Sequence, residues 1–247
     1  MAGGGSDRSP QVVAETIPDI DYAVRTRYPH DPDSFTEGLV YFRGGLYEST
    51  GLHGHSAVRH LDIETGRTDR LTRLPETLFG EGLTAWDDRL IQLTWKAGVA
   101  LIYAATDLHE TGRFHYAGEG WGATRLDGRL VISDGSSDLR LVDPEGREPA
   151  AVMRVTVSGR RMPGLNELEA VDGVIFANVY PTDCVARIDP ETGAVNGWID
   201  LSGLLPWSER PDGAAVANGI AYDSESGDLF VTGKRWPFVY RIRILGE

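Results

Sequence analysis

This sequence is poor in cysteine, in long hydrophobic segments and in positive charge. Its single cysteine, Cys184, excludes an internal disulfide and a zinc site built from thiolates. The longest weakly polar run, residues 98–106, is far shorter than the roughly 20 apolar residues of a membrane-spanning helix. The 24 lysines and arginines against 37 acidic residues give a net charge of −13, which argues against nucleic acid or an anionic membrane as a partner.

The first ten residues are rich in glycine and serine, and they lack the apolar segment of a signal peptide. We therefore expect a flexible tail over residues 1–19, followed by a single domain over residues 20–247. A chain of 247 residues, 41% of them hydrophobic, is long enough to bury the core of one large domain. As given, the chain predicts a cytoplasmic protein, whereas a removed export signal would indicate a periplasmic or secreted one.

Short strands, rather than helices, are indicated along the whole chain. Thirty glycines separate short alternating segments, and almost no window has the apolar spacing of a long amphipathic helix. Five segments each predict two strands joined by a tight turn, and a further strand follows each of them. These segments are residues 38–50, 82–94, 122–134, 167–179 and 219–233.

The strand pairs recur at a nearly constant spacing, which predicts an all-β, five-bladed β-propeller. The first apolar residues after the five turns are 44, 40, 45 and 54 residues apart: Leu46, Leu90, Leu130, Ile175 and Leu229. The fifth unit lacks its last strand, and we expect residues 20–27 to supply it and close the ring. A β-sandwich or two small β-domains are the alternative folds, but neither usually repeats at such a period.

Equivalent positions in repeated blades lie at equivalent radius and height, so the spacing also predicts a site. Two sets of positions are expected at one mouth of the channel, where the first strands begin and the second strands end. The first set is Glu37, Glu81, Trp121, Asn166 and Asn218, and the second is Gly51, Trp95, Gly135, Tyr180 and Lys234. Phe35 and Phe79 add apolar surface beside the two glutamates. Such a mixture is typical of a site for a small molecule or a chain end.

Motifs in every predicted blade resemble those of the plant and bacterial glutaminyl cyclases, which are glutaminyl-peptide cyclotransferases with five-bladed propellers. The resemblance extends from about residue 22 to residue 244, in order. The motifs are YPHDPDSFTEGL (28–39), FGEGLT (79–84), LTWK (93–96), EGWG (119–122), LNELE (165–169) and TGKRWP (232–237). The resemblance implies an enzyme that converts the N-terminal glutamine of peptides or proteins to pyroglutamate, releases ammonia and needs no cofactor or metal.

The resemblance also implies roles for individual residues. Glu81 matches the family's general acid/base, while Asn166 and Lys234 match polar residues that hold the substrate and its developing charge. The aromatic lining of the pocket is matched by Phe35, Phe79, Trp95 and Trp121. Two positions depart from the family pattern: Tyr180 stands where a tryptophan is expected, and Glu37 stands where plant members commonly have glutamine. We expect Glu37 and Glu81 to share one proton, because two neighbouring carboxylates repel each other.

Two other functions are compatible with these residues. A calcium-dependent propeller lactonase or hydrolase also directs Glu and Asn oxygens to a channel axis, although such enzymes have six blades. A non-enzymatic propeller would bind peptides without releasing ammonia. Residues 204–212 form an insert that could be a lid over the mouth or simple packing. His53 and His55 are expected in an exposed turn without a metal, and the closed ring favours a monomer.

Overall fold

The structure of this chain is a computed structural model that describes residues 16–143 and 151–246. The predicted five-bladed propeller is confirmed, because five four-stranded antiparallel sheets surround a central channel. The strands of blade one are β2 (Thr36–Phe42), β3 (Gly45–Thr50), β4 (Ala57–Asp62) and β5 (Arg67–Arg73). Those of blade two are β6 (Gly80–Trp86), β7 (Arg89–Thr94), β8 (Val99–Ala104) and β9 (Glu110–His115).

Blades three and four have the same order, with the first strand nearest the channel. The strands of blade three are β10 (Ala123–Leu126), β11 (Arg129–Ile132), β12 (Asp138–Val142) and β13 (Ala151–Arg154). A small hairpin that the sequence did not predict, β14 (Thr156–Val157) and β15 (Arg160–Arg161), then leads to the next blade. The strands of blade four are β16 (Leu165–Val171), β17 (Val174–Val179), β18 (Cys184–Ile188) and β19 (Val195–Asp200).

Blade five joins the two ends of the chain. Its inner strands are β20 (Ala217–Asp223), β21 (Asp228–Gly233) and β22 (Phe238–Ile244), and its outermost strand is β1 (Tyr22–Pro29). β1 pairs antiparallel with β22 from Tyr22 opposite Ile244 to Pro29 opposite Phe238. The predicted closure by an N-terminal strand is therefore confirmed, and it covers a sheet edge that would otherwise be open.

The segment before β1 lies against blade four. Residues 1–15 of the predicted tail lie outside the described residues, whereas residues 18–20 already pair with Trp198. The backbone amide of Trp198 donates to the carbonyl of Pro18 over 3.0 Å, and the carbonyl of Trp198 accepts from the amide of Ile20 over 2.6 Å. These hydrogen bonds fix residues 18–20 to a neighbouring strand. In the described part of the chain, no helix has the length and apolar composition needed to cross a bilayer.

Apolar side chains fill the five interfaces between neighbouring blades, one cluster at each interface. Between blades four and five, for example, Phe176 and Ile199 pack against Trp236 and Ile242. The remaining four clusters occupy the other interfaces around the ring. Each blade is covered on both faces by its two neighbours. The apolar residues of the predicted strands are therefore fully buried only when all five blades form a closed ring.

The inner strands approach one another closely at the channel axis. A side chain at Gly82 would lie 2.5 Å from the amide nitrogen of Ala123, so only glycine fits there. Blade four instead has Glu167 at the equivalent position. Its buried carboxylate reaches across the channel and accepts hydrogen bonds from the amides of Leu39, at 3.3 Å, and Ile220, at 2.9 Å. This side chain links three blades below the predicted mouth.

Candidate active site

All nine residues to which the sequence assigned catalytic or binding roles line one cavity of about 270 Å³. The cavity lies at the mouth where the inner strands begin and the second strands end. Four of the nine come just before or inside the first strands of blades one and two: Phe35, Glu37, Phe79 and Glu81. The other five come from the remaining strands and the loops beside them: Trp95, Trp121, Asn166, Tyr180 and Lys234. The spacing argument therefore brought together residues that are up to 199 positions apart.

The pairing register shifts, as in a β-bulge, at the second residue of the inner strand in blade one and across the second and third residues in blades two, four and five. In blade one, Thr36 pairs with Thr50 and Gly38 pairs with Ser49, so Glu37 has no partner residue of its own. The extra residue locally turns the strand and redirects a side chain. The same device operates beside Glu81, Asn166 and Asn218 in the other three blades. Local backbone geometry therefore directs these polar side chains toward the axis.

Glu37 is the centre of a buried polar cluster. Its Oε2 forms an ion pair with the Nζ of Lys234, and both side chains are only 4% exposed. Asn218 also donates from Nδ2 to this oxygen over 3.2 Å and to the carbonyl of Thr36 over 3.0 Å. The sequence predicts Asn218 at the rim, but Asn218 is not among the residues that line the cavity, and it supports Glu37 instead. The ammonium of Lys234 lies 4.5 Å from the ring centroid of Phe35.

The carboxyl groups of Glu37 and Glu81 line the same cavity and interact electrostatically, and a proton on one of them relieves the repulsion between two buried charges. Burial, together with the negative charge of Glu37, raises the pKa of Glu81 well above its usual value, although Lys234 opposes this. Burial also raises the pKa of Glu37, but its ion pair with Lys234 acts in the opposite direction. The shared proton therefore belongs on Glu81, and the negative charge stays on Glu37 beside the lysine.

Five aromatic rings form the apolar wall of the cavity: Phe35, Phe79, Trp95, Trp121 and Tyr180. The rings meet edge to face, with 6.4 Å between the centroids of Phe35 and Phe79 and 5.5 Å between those of Phe79 and Trp95. On the other side, Trp121 meets Tyr180 at 5.9 Å and 85°. Edge-to-face contacts of this kind are favourable beyond the burial of area, so the wall is preorganised.

Sequence reasoning missed one residue at this wall, Glu119. Its Oε2 accepts hydrogen bonds from the indole nitrogens of Trp95, at 2.8 Å, and Trp121, at 3.0 Å. Glu119 lies in the EGWG motif, but the repeat spacing gives no reason to direct it toward the two tryptophans. The contact arises because the loop before β10 passes beside the end of β7.

The described residues contain no group of three or more His, Cys, Asp or Glu side chains arranged to hold a metal ion. His53 lies in the loop after β3, and its ring contacts that of Phe79 at 5.5 Å. Calcium prefers six to eight oxygen ligands. At this mouth the Glu37 carboxylate already faces an ammonium group, so the donor set does not match a calcium site.

A model of the glutamine cyclotransferase family matches residues 2–244 of this chain. The chain belongs to this family. A glutaminyl-peptide cyclotransferase from Arabidopsis thaliana is 41% identical over 247 residues, which cover 98% of this chain and 76% of that protein. Among solved structures, glutaminyl cyclase from Myxococcus xanthus superposes with a TM-score of 0.88 at 35% identity, and the match covers 93% of this chain and 98% of that one.

In this member of the glutamine cyclotransferase family, the 204–212 insert is fixed to the propeller. The guanidinium of Arg210 is buried and binds both carboxylate oxygens of Asp183, at 2.8 and 3.1 Å. It also donates to the carbonyls of Leu205, at 2.7 Å, and Ala215, at 3.0 Å. Of the two interpretations left open by the sequence, these contacts favour packing over a lid, because moving the insert would expose an unpaired buried charge.

Proposed function

We propose that this chain is a glutaminyl-peptide cyclotransferase, which converts an N-terminal glutamine to pyroglutamate and releases ammonia. Membership of the glutamine cyclotransferase family and the 41% identical relative of that activity support the proposal. The observation that carries it is the presence of two buried carboxyl groups, Glu81 and Glu37, in one aromatic cavity, where the charge of Glu37 helps to raise the pKa of Glu81. A carboxyl group with a raised pKa can both accept and donate a proton near neutral pH, which this reaction requires.

The cavity has a size and a lining that suit one terminal glutamine. Aromatic faces pack against the methylene groups of its side chain and attract its α-ammonium group. Because the attacking amine and the γ-carbonyl belong to the same residue, the main task of the wall is to hold a folded rotamer. The rest of the peptide extends out of the mouth, so many peptides with this first residue are expected substrates.

Glu81 carries protons between the two nitrogens. The cycle starts from the ionised form of Glu81, which takes a proton from the α-ammonium, whose pKa is roughly 8, and the free amine then attacks the γ-carbonyl carbon. A new C–N bond forms, and the carbonyl oxygen becomes negative. Glu81 then donates its proton to the side-chain nitrogen, the old C–N bond breaks and ammonia leaves. The lactam nitrogen gives its second proton back to Glu81, which passes it to ammonia.

The negative oxygen needs donors at the moment it forms. We assign this role to the ammonium of Lys234 and the side-chain amide of Asn166, both of which line the cavity. Glu37 holds the ammonium of Lys234 in place through the ion pair. Because Lys234 is already held in position, it can stabilise the developing negative charge without a change of conformation during the reaction.

No step in this scheme requires a metal ion, a redox cofactor or a second subunit. We therefore propose a metal-independent enzyme. We also propose that it acts as a monomer, since each blade packs against both neighbouring blades of the same closed ring. The partners that this function requires are peptides or proteins with an N-terminal glutamine.

The direct test is a coupled assay of ammonia release from a glutamine-initiated dipeptide. We expect one ammonia for each pyroglutamyl product, detected together by mass spectrometry. The matched control is the N-acetylated dipeptide, which lacks the free amine and should release none. Binding of the free dipeptide without ammonia would support the peptide-binding alternative instead.

A further inference from the structure

One carboxylate oxygen connects the two tryptophans of the cavity. The Oε2 of Glu119 accepts from the indole of Trp95 in blade two and from that of Trp121 before blade three. An indole has a single N–H and no acceptor, so the position of this oxygen fixes the direction of both rings. The other oxygen, Oε1, lies 4.0 Å from the ammonium of Lys96, which itself lies 3.8 Å from the ring centroid of Trp95.

The loop that carries Glu119 is held on two sides. The guanidinium of Arg140 donates to the carbonyls of Ala117 and Glu119. The next residue, Gly120, donates its amide to the carbonyl of Trp95 over 3.0 Å. The Glu119 side chain is 39% exposed, but its backbone therefore has a defined position relative to the end of β7.

A second contact fixes the start of this loop. The hydroxyl of Tyr116 accepts from the amide of Thr94 over 3.0 Å and donates to its carbonyl. A side chain at Gly120 would collide with this tyrosine hydroxyl, so the close approach depends on glycine. The carboxylate is thus a built feature of the mouth and not a loosely placed surface charge.

We propose that Glu119 is a positioning residue that sets the orientation of Trp95 and Trp121 and thereby the shape of the glutamine pocket. It acts through the two rings and does not itself touch the reacting atoms. The inference rests on the proposed function, since the pocket is assigned to a terminal glutamine. It also predicts an optical signature that does not depend on the substrate.

The kinetic consequence falls mainly on substrate binding. The tryptophan faces contact the glutamine side chain in the ground state and in the transition state alike, so loss of their orientation weakens both. Such a loss raises KM and changes kcat little. A loss equal to one ordinary hydrogen bond corresponds to roughly a tenfold change in KM.

The test compares Glu119→Ala with Glu119→Gln, because glutamine keeps an acceptor oxygen for the indoles but removes the charge. For a glutamine-initiated dipeptide, we expect the alanine variant to raise KM about tenfold and to change kcat less than about threefold. The glutamine variant should restore most of the wild-type KM. Glu191→Gln, in an exposed turn between β18 and β19, is the control for loss of a surface charge.

Near-ultraviolet circular dichroism and acrylamide quenching of tryptophan fluorescence provide the second readout. Only the alanine variant should change these signals, with its thermal midpoint recorded to exclude unfolding. An unchanged KM and unchanged spectra for Glu119→Ala would overturn the proposal, as would a glutamine variant as impaired as the alanine variant. If the wild type releases no ammonia, the proposed function fails, and the spectra alone still decide the role of Glu119.

Discussion

Lys234 forms its ion pair with Glu37 and not with Glu81, the residue assigned to proton transfer. A direct pair with Glu81 would favour its carboxylate form and lower its pKa. Because Glu37 forms the ion pair with the lysine, Glu81 lies beside a negatively charged neighbour and keeps a raised pKa. The two carboxyl groups at the mouth are therefore chemically distinct, although both are buried glutamates.

Replacement of Glu81 by glutamine should abolish most of the activity. The amide has nearly the same shape, but it can neither accept the ammonium proton nor return it. General acid–base catalysis contributes about 10²–10⁴-fold, so we expect kcat for ammonia release to fall by that factor. Glu64→Gln, at an exposed turn of blade one, is the matched control. Turnover close to that of the wild type would remove Glu81 from the mechanism.

Replacement of Glu37 by glutamine should move the pH dependence of the reaction. Removal of its negative charge takes away one cause of the raised pKa of Glu81, and it also frees Lys234 to interact with Glu81. Both changes lower the pKa of Glu81. In the pH profile of kcat/KM, we expect the limb that reports Glu81 to move to lower pH. The limb that reports the substrate amine should stay near pH 8, because the ordinary pKa of an α-amino group is roughly 8. A shift to higher pH, or none, would contradict this electrostatic coupling.

Replacement of Lys234 by methionine should destabilise the fold as well as the reaction. The change leaves Glu37 as a buried charge without its cation, and breaking a buried pair in this way costs about 3–5 kcal/mol. Adding Glu37→Gln to the same chain should recover most of this loss. Urea unfolding of the two single variants and the double variant measures the coupling. Purely additive losses would show that the ion pair does not matter for stability.

Removal of metal ions should leave the activity unchanged. We expect the same rate of ammonia release before and after treatment with a chelator followed by gel filtration, because Glu81 supplies the proton transfer and Lys234 the positive charge. The comparison includes a sample to which calcium is returned. Loss of activity that calcium restores would favour the calcium-dependent alternative.

A buried carboxyl group that does not line the cavity should make stability depend on pH. Burial raises the pKa of Glu169 to about 8, despite hydrogen bonds from Tyr222 and Thr124. Between pH 4.5 and about 8 the folded chain therefore binds a proton that the unfolded chain has lost. The free energy of unfolding then falls as the pH rises, by at most about 1.4 kcal/mol per pH unit from this group.

Glu169→Gln should make that decline less steep, because the amide keeps an acceptor for Tyr222 and has no proton to lose. Urea unfolding at pH 5 and pH 8 gives the measurement for both chains. Glu167 also has a raised pKa from burial and stays in the variant, so part of the decline should persist. Equal slopes for the wild type and the variant would refute the assignment to Glu169.

The sequence predicted the ring and the set of residues at its mouth because the repeat converts position along the chain into position in space. Glu81 and Asn166 occupy matching places in the first strands of two blades, and Lys234 follows the second strand of a third blade at the same rim. The blades are equivalent around one axis. The same argument predicted that an N-terminal strand closes the fifth blade. It required only alternating apolar residues and the spacing of turns.

Only the tertiary structure decided which partners these side chains choose. Three sets of contacts join different blades. They are the ion pair of Lys234 with Glu37, the hydrogen bonds from the indoles of Trp95 and Trp121 to Glu119, and the hydrogen bonds that Glu167 accepts across the channel. The anchoring of Arg210 on Asp183 belongs to the same class. Repeat spacing determines the backbone position of a residue, but loop paths and side-chain rotamers are set by packing among neighbours that are distant in sequence.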